Sequence, residues 1–174
     1  MIHEMVMTTP VGKLKVVEEN NFITGLTMLE INNLQDADVI SKFVDPDDSS
    51  GAIELLITAQ KQLEEYFAGK RRVFTLPLKP KGTKFQENVW NALLDIPYGE
   101  TKSYKEIAIE VGNEQASRAV GMANNRNPIM ILIPCHRVIG SNGSMVGYGA
   151  GISVKEYLLK LECEPNVGKG PFNK

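Results

Sequence analysis

Cysteine is scarce in this sequence: Cys135 and Cys163 are the two cysteines among 174 residues. Two cysteines cannot build the disulfide framework of a small secreted domain, and a free thiol suits a reducing cytoplasm. A Cys135–Cys163 disulfide is the alternative, which is less favoured because Cys163 lies in a polar tail. The sequence therefore predicts a cytoplasmic protein in which Cys135 is a free thiol.

Long apolar runs are also absent, since no stretch approaches the roughly 20 residues that span a bilayer. The first residues lack the basic start and apolar stretch of a signal peptide. An apolar fraction of 43% and a charged fraction of 23% are typical of globular proteins. We therefore expect no membrane partner.

The net charge of −2 gives by itself no reason to expect a nucleic-acid partner, but the charge is unevenly distributed. Residues 1–70 carry five Lys or Arg against twelve Asp or Glu, whereas residues 71–174 carry fourteen against nine. This asymmetry indicates that only the C-terminal part meets phosphate, although small domains also vary in charge without function.

The N-terminal part is predicted to form strands followed by a helix. A helix from Ala52 to Ala68 shows apolar residues at helical intervals, ends at Gly69 and follows an acidic loop at residues 45–50. The predicted strands occupy residues 2–8, 14–17 and 22–29, with a possible last strand at 72–78.

A linker-like segment at residues 77–82 marks the predicted domain boundary. Thr83 and Gln86 then form a capping box that opens a helix, in which Trp90 is predicted to be a core residue. The apolar face of this helix is predicted to comprise Phe85, Val89, Trp90, Leu93 and Leu94. The fold class is α+β, with an N-terminal α/β domain at residues 1–80, a mostly helical domain at 81–165 and a flexible tail at 166–174.

A second capping box, Ser103 with Glu106, begins a helix that runs to Val111. A glycine-containing turn and a helix at residues 115–124 complete a helix-turn-helix pattern. The second helix is lined with small residues around Arg118. This pattern suits close approach to a DNA backbone or minor groove, or equally helix-on-helix packing.

An apolar run at residues 129–133 leads into Pro134, Cys135, His136 and Arg137. Proline cannot continue a ladder of backbone hydrogen bonds, so the chain is expected to turn out of the core here. A cysteine at such a turn can act as a nucleophile, and the adjacent histidine can assist its deprotonation.

From Phe85 to Glu162 the chain resembles the O6-alkylguanine-DNA alkyltransferases (methylated-DNA–protein-cysteine methyltransferases). The motifs that carry the resemblance lie at residues 99–104, 118–121, 127–128, 131–138, 147–149 and 155–162. The resemblance implies that the protein flips O6-alkylguanine out of double-stranded DNA and transfers the alkyl group irreversibly to Cys135. It also implies a suicidal, single-turnover enzyme that acts as a monomer.

The resemblance implies five catalytic groups. Cys135 is the nucleophile, His136 its base through a bridging water, and Glu162 the carboxylate that orients the histidine. Tyr104 would supply a phenolic hydroxyl to the leaving guanine, and Lys155 would support the polar network around it.

The resemblance also implies DNA and pocket contacts. Arg118 would fill the gap left in the base stack, and Tyr104 would crowd the adjoining phosphate. Further DNA contacts would come from the helix-turn-helix, at Ser103, Ala119 and Gly121. The base pocket would be formed by the Cys135 and Val138 carbonyls, the Tyr148 ring and the Gly149 amide, with Met145 and Val146 bearing on alkyl size.

Asn127 corresponds to a structural hinge residue that bonds backbone turns before the cysteine. Arg137 is predicted to secure the cysteine turn electrostatically rather than to contact the lesion. Met122, Asn124 and Asn125 depart from the family pattern as local variations on the exposed helix, where they bear on DNA affinity and sequence preference.

The chemistry requires no metal or organic cofactor. No cysteine precedes Cys135, so the zinc site that some family members carry in the N-terminal region is not expected. The main alternative function is a non-catalytic alkyltransferase-like damage-binding protein, which would lack the reactive cysteine. A Cys-His hydrolase and a transcription regulator are two further alternatives.

Overall fold

The computed structural model describes residues 2–29 and 51–163. Its chain divides into two compact units, Met1–Pro80 and Lys81–Lys174. The predicted acidic loop at residues 45–50 and the predicted tail at 166–174 lie outside the described residues. No helix in the described ranges is long and apolar enough to cross a membrane.

The first unit contains an antiparallel sheet of three strands, β1 (Ile2–Thr9), β2 (Gly12–Glu19) and β3 (Phe22–Met28), in the order β1-β2-β3. Asn20 and Asn21 form the turn between β2 and β3 with φ of 54° and 63°. Asparagine tolerates this left-handed conformation, which matches the twist of a two-residue hairpin. The predicted strands are confirmed.

Helix α1 (Ala52–Phe67) packs against β1 and β2. Its buried face contains Leu56, Ala59, Leu63 and Tyr66, which recur at the predicted helical spacing. Gly69 follows with φ of 70°, and its N–H donates to the carbonyl of Tyr66 at 2.9 Å. The helix therefore ends where the sequence predicts.

The predicted strand at residues 72–78 is wrong. Leu78 forms only an isolated parallel bridge with Ile23, flanked by a bond from the Ile23 N–H to the Pro77 carbonyl at 2.8 Å. Proline lacks the N–H that a continued ladder needs. A side chain holds the segment instead, because Gln62 accepts from the Thr75 N–H at 2.9 Å and donates to its hydroxyl at 2.8 Å.

The second unit is mostly helical. Its helices are α2 (Lys84–Leu94), α3 (Tyr104–Glu110), α4 (Ser117–Asn125) and α5 (Ile152–Cys163). Strands β4 (Lys102–Ser103) and β5 (Val138–Ile139) form a short parallel pair, and 3-10 turns occupy Glu114–Ala116 and Cys135–Arg137. Both predicted capping boxes are present, at the starts of α2 and α3.

Helix α4 packs against α2 and α3, and α3 is joined to it by residues 111–116, in keeping with the predicted helix-turn-helix. Trp90 is a core residue, as predicted: it is 1% exposed and its Nε1–H donates to the Ala123 carbonyl at 2.9 Å. Leu94, predicted on the apolar face of α2, is instead 46% exposed because it lies in the last turn, beyond the buried Leu93.

Candidate active site

A buried, irregular segment positions the cysteine. Residues 129–138 are all buried, and Ile131 has a φ of 70°, a left-handed conformation that is costly for a β-branched residue. Asn127 stabilises this segment, since its Oδ1 accepts from the Ile129 N–H at 3.0 Å and its Nδ2 donates to the Ile133 carbonyl at 2.8 Å. Asn127 thus bridges the backbone on both sides of Ile131, directly before the cysteine turn.

Cys135 is a free cysteine and only 3% exposed, in the first position of the 3-10 turn. Burial raises the pKa of its thiol, which outweighs the stabilisation of the thiolate by Asn127, Tyr148 and the Lys155 charge. The thiol therefore remains protonated near neutral pH unless a base takes its proton. The other cysteine, Cys163, is free and exposed.

The candidate base is His136, whose side chain is fully buried. Its Nε2–H donates to Oε1 of Glu162 at 2.7 Å, which fixes the tautomer and leaves Nδ1 as an acceptor. Nδ1 has no hydrogen-bond partner among the described residues. Burial lowers the pKa of His136, with the Glu162 carboxylate opposing it and the Arg137 and Lys155 charges adding to it. The imidazole is therefore neutral near neutral pH.

Glu162, near the end of α5, accepts four hydrogen bonds. The first comes from His136, as described above. Arg137 donates two more, from Nε to Oε2 at 2.8 Å and from Nη2 to Oε1 at 3.0 Å. The fourth comes from the Gly99 N–H, which donates to Oε2 at 3.1 Å. Burial alone would raise the pKa of Glu162, but its bonds and charge pairs with His136 and Arg137 lower it to about 2. The carboxylate is ionised at physiological pH.

The turn before β4 fits closely against this carboxylate. Gly99 has φ of 79°, and a Cβ there would lie 3.1 Å from the backbone oxygen of Glu162. The Tyr98 hydroxyl donates to the Leu161 carbonyl at 3.3 Å. A glycine is therefore required at residue 99 both for its conformation and for its contact with α5.

Lys155 and Tyr104 also lie close to the cysteine turn. Lys155 is fully buried, donates to the Val138 carbonyl and has its Nζ 5.8 Å from the centre of the Tyr104 ring. Burial lowers the pKa of Lys155, and the Cys135 thiolate opposes that effect. Burial and the Cys135 charge raise the pKa of Tyr104, so its hydroxyl, which donates to the Val146 carbonyl at 2.8 Å, stays protonated.

The loop before α5 closes over the site. Tyr148 is 8% exposed, and burial together with the Cys135 charge raises the pKa of its hydroxyl well above the ordinary value. A Cβ at Gly149 would lie 3.2 Å from the Asn125 carbonyl, so glycine allows this loop to contact the end of α4. Tyr148 thus lies beside the thiol, and Gly149 lies against the end of α4; the base pocket that these residues would form stays a prediction.

Asn124 corrects the sequence prediction. The sequence indicates a local variation on the exposed helix, yet Asn124 is 2% exposed and its Nδ2 donates to the Cys135 carbonyl at 3.2 Å. Met122, by contrast, is 59% exposed, and Asn125 is exposed as predicted. Asn124 lies four residues after the buried Val120, so helical spacing was the signal that could have identified it.

The remaining candidate DNA-contacting residues lie on α4 and at the start of α3. Arg118 and Ala119 are exposed on α4, whereas Gly121 is half-buried. A Cβ at Gly121 would lie 3.8 Å from the Tyr104 ring, which is an ordinary van der Waals distance. The Ser103 hydroxyl accepts from the Glu106 N–H at 3.2 Å as the cap of α3. In the described part of the chain, no group of three or more His, Cys, Asp or Glu side chains could hold a metal ion.

Comparisons with known proteins give matches along nearly the whole chain. Residues 84–164 match the family model of the 6-O-methylguanine DNA methyltransferase DNA binding domain, and residues 2–80 match the ribonuclease-like domain of 6-O-methylguanine DNA methyltransferase. A methylated-DNA–protein-cysteine methyltransferase from Methanosarcina acetivorans is 61% identical over 63% of this chain and 70% of its own length. One from Mycobacterium tuberculosis is 46% identical over 93% of each chain.

Solved structures give the same result. The OGT of Mycobacterium tuberculosis in complex with DNA superposes with a TM-score of 0.77 at 44% identity, covering 92% of each chain. An O6-methylguanine DNA methyltransferase from Methanococcus jannaschii superposes with a TM-score of 0.63 at 31% identity, covering 98% of this chain and 99% of that one.

Proposed function

Because this chain belongs to the 6-O-methylguanine DNA methyltransferase family, we propose that it repairs O6-alkylguanine in DNA by transferring the alkyl group to its own Cys135. The observation that carries this assignment is the buried free thiol of Cys135 beside the hydrogen-bonded pair of His136 and Glu162. A non-catalytic damage-binding protein is not favoured, because such a protein would lack the reactive cysteine.

The chemical step is a displacement at saturated carbon. A bond forms between Cys135 Sγ and the alkyl carbon while the bond from that carbon to guanine O6 breaks. The thiol proton passes to Nδ1 of His136, and the leaving guanine is protonated with help from the Tyr104 hydroxyl. The product is a thioether, which water does not hydrolyse, so each protein molecule acts once.

The proton route runs from the thiol to the imidazole. Side chains of consecutive residues generally diverge, so we place one water between Cys135 and His136. Glu162 orients the ring through Nε2, which leaves Nδ1 free to accept. This arrangement follows the nucleophile, base and orienting carboxylate of hydrolase triads.

Base recognition uses backbone groups of the cysteine turn. The Cys135 and Val138 carbonyls would accept from the exocyclic amine of guanine. In the structure the Cys135 carbonyl accepts from Asn124 and from a backbone N–H at the end of its turn, so the base would displace or share one of these bonds, and the Val138 carbonyl accepts from Lys155. The Gly149 N–H would meet O6. Because Cys135 is only 3% exposed, the loop that holds Tyr148 must move aside as the base enters.

We assign DNA binding to the helix pair. The exposed Arg118 on α4 would fill the gap in the base stack, while Ala119 and Gly121 allow close approach to the backbone. A buried site cannot reach a base inside a duplex, so the lesion must rotate out of double-stranded DNA. We further propose a monomer that acts in the cytoplasm, where two free cysteines are compatible with a reducing environment.

Mass spectrometry tests the assignment. The protein is incubated with a duplex containing one O6-methylguanine, and its intact and peptide masses are measured. We expect one added methyl group on the peptide that contains Cys135 and none on the peptide that contains Cys163. Unmodified protein bound tightly to the lesion would instead identify a damage-binding protein, and tight binding to one undamaged sequence would identify a regulator.

A further inference from the structure

Arg137 has a buried side chain, and each of its three guanidinium nitrogens donates to the active-site carboxylate or to a nearby backbone carbonyl. The residue is 6% exposed, and Nε and Nη2 contact the two oxygens of Glu162 at 2.8 and 3.0 Å. Its Nη1 donates to the Ile96 carbonyl at 2.6 Å. The guanidinium therefore makes a two-point contact with the carboxylate that also receives the imidazole of His136.

Two neighbouring residues thus compete for one negative charge. Oε1 of Glu162 accepts from both His136 Nε2, at 2.7 Å, and Arg137 Nη2, at 3.0 Å. A guanidinium is always protonated in proteins, so the carboxylate charge is already compensated. If His136 were protonated, it would be a second buried cation beside Arg137, and the single negative charge of Glu162 would have to balance both.

We propose that Arg137 is a positioning residue for alkyl transfer, an inference that rests on the proposed function. By holding the Glu162 carboxylate it keeps the His136 imidazole neutral, with its proton on Nε2 and its Nδ1 ready to accept the proton of Cys135.

The other charged and titratable groups around the imidazole are compatible with this role. Helix α5 contributes Glu162 and Lys155, the cysteine turn contributes Cys135, and the turn before β4 contributes Tyr98, whose ring centre lies 5.8 Å from the Arg137 guanidinium carbon. Burial lowers the pKa of His136, and the Arg137 charge acts in the same direction. The Lys155 charge also lowers the pKa of His136 and in addition stabilises the Cys135 thiolate, whereas the Arg137 charge acts on the imidazole.

The consequence concerns the resting thiol. Without Arg137 the imidazole would feel the full carboxylate charge and would take the Cys135 proton more readily. More thiolate would then exist before a lesion arrives. A protein that uses its cysteine once would lose more molecules to reaction with other electrophiles, so Arg137 would also limit the amount of thiolate in the resting protein.

Nitrogen-15 NMR of the histidine rings tests the proposal without any substrate. The sequence contains two histidines, His3 and His136, so the first serves as an internal reference in each spectrum. We expect wild-type His136 to be neutral at pH 7 with its proton on Nε2. In Arg137→Gln the His136 titration should move to higher pH.

Two further variants complete the design. Arg137→Lys keeps the charge but cannot span both carboxylate oxygens, so we expect a smaller shift in the same direction, and this variant decides the question if Arg137→Gln does not fold. Arg71→Gln is the matched control, because Arg71 makes a comparable bond to Glu65, from Nε to Oε2 at 2.7 Å, in the other unit. His136 should titrate in Arg71→Gln as in the wild type.

Thiol labelling gives a second readout. With iodoacetamide at pH 7, Cys135 should be modified on the order of tenfold faster in Arg137→Gln than in the wild type, because a more basic His136 leaves more thiolate. Cys163, exposed and free, reports any general change in labelling. A His136 titration that is unmoved or lowered in folded Arg137 variants would overturn the proposal. It would leave the alkyl-transfer assignment intact, since neither measurement requires repair activity.

Discussion

The substitution Glu162→Gln tests how strongly the buried carboxylate couples to its cationic neighbours. The amide keeps the shape of the side chain and removes its charge. In the folded protein the pKa of Glu162 is about 2, against an ordinary value of 4.5. A carboxyl group with a lowered folded pKa stabilises the protein above pH 4.5, and this stabilisation is lost as the pH falls toward 2.

The size of the effect follows from that difference. Each unit of pKa corresponds to 1.36 kcal/mol, so ionised Glu162 contributes about 3 kcal/mol to the free energy of unfolding at neutral pH. The group is 6% exposed, so solvent screens this contribution little. The lowered pKa of His136 affects stability at higher pH than Glu162 does. Because the fold keeps this histidine neutral, the free energy of unfolding begins to fall once the pH drops below 6.5.

Urea unfolding between pH 7 and pH 2 measures the contribution. Trp90 is the single tryptophan and lies in the core of the second unit, so its fluorescence follows the unit that contains Glu162. Between pH 4.5 and 2 the wild type should lose about 3 kcal/mol more than Glu162→Gln. The control Glu65→Gln, at a half-exposed ion pair, should follow the wild type. Parallel curves for wild type and Glu162→Gln would refute the reasoning.

Three further substitutions have defined outcomes. Gly99→Ala should lower the free energy of unfolding by about 1–3 kcal/mol and slow alkyl transfer, because residue 99 has a φ of 79° and its Cβ would lie 3.1 Å from α5. Gly112→Ala is the control for conformational strain alone, because Gly112 has a φ of 84° and no neighbour within 4 Å of a Cβ. Arg118→Ala should slow repair in duplex DNA more than reaction with the free base, and equal loss in both assays would exclude a role in base flipping. Asn124→Ala should cost about 1–3 kcal/mol in urea unfolding through its lost bond to Cys135, whereas Asn125→Ala should stay within about 0.5 kcal/mol.

Much of the fold could be predicted because its signals are local. The capping boxes that begin α2 and α3 involve residues three positions apart, and both formed as expected. The hairpin at Asn20 and Asn21 likewise depends on the conformations that these two residues tolerate. Such features are fixed within a few residues, so the sequence pattern alone is sufficient.

The errors arise where distant contacts decide the structure. Residues 72–78 have an apolar pattern, but the bonds from Gln62 and the missing N–H of Pro77 prevent a strand. Asn124 is polar yet buried, because the Cys135 carbonyl lies within reach of its amide. Arg137 forms an ion pair, in agreement with the electrostatic role predicted for it, but its partner Glu162 could not be predicted because the contact depends on how α5 returns to the cysteine turn.

The most direct test of the central claim is the number of methyl groups that one protein molecule accepts. The protein is mixed with a large excess of duplex carrying isotopically labelled O6-methylguanine, and bound label is counted until the reaction stops. One methyl group per molecule, located on Cys135 and absent in Cys135→Ala, is the predicted result. Continued demethylation beyond one equivalent, or label elsewhere than Cys135, would contradict an irreversible transfer to this thiol.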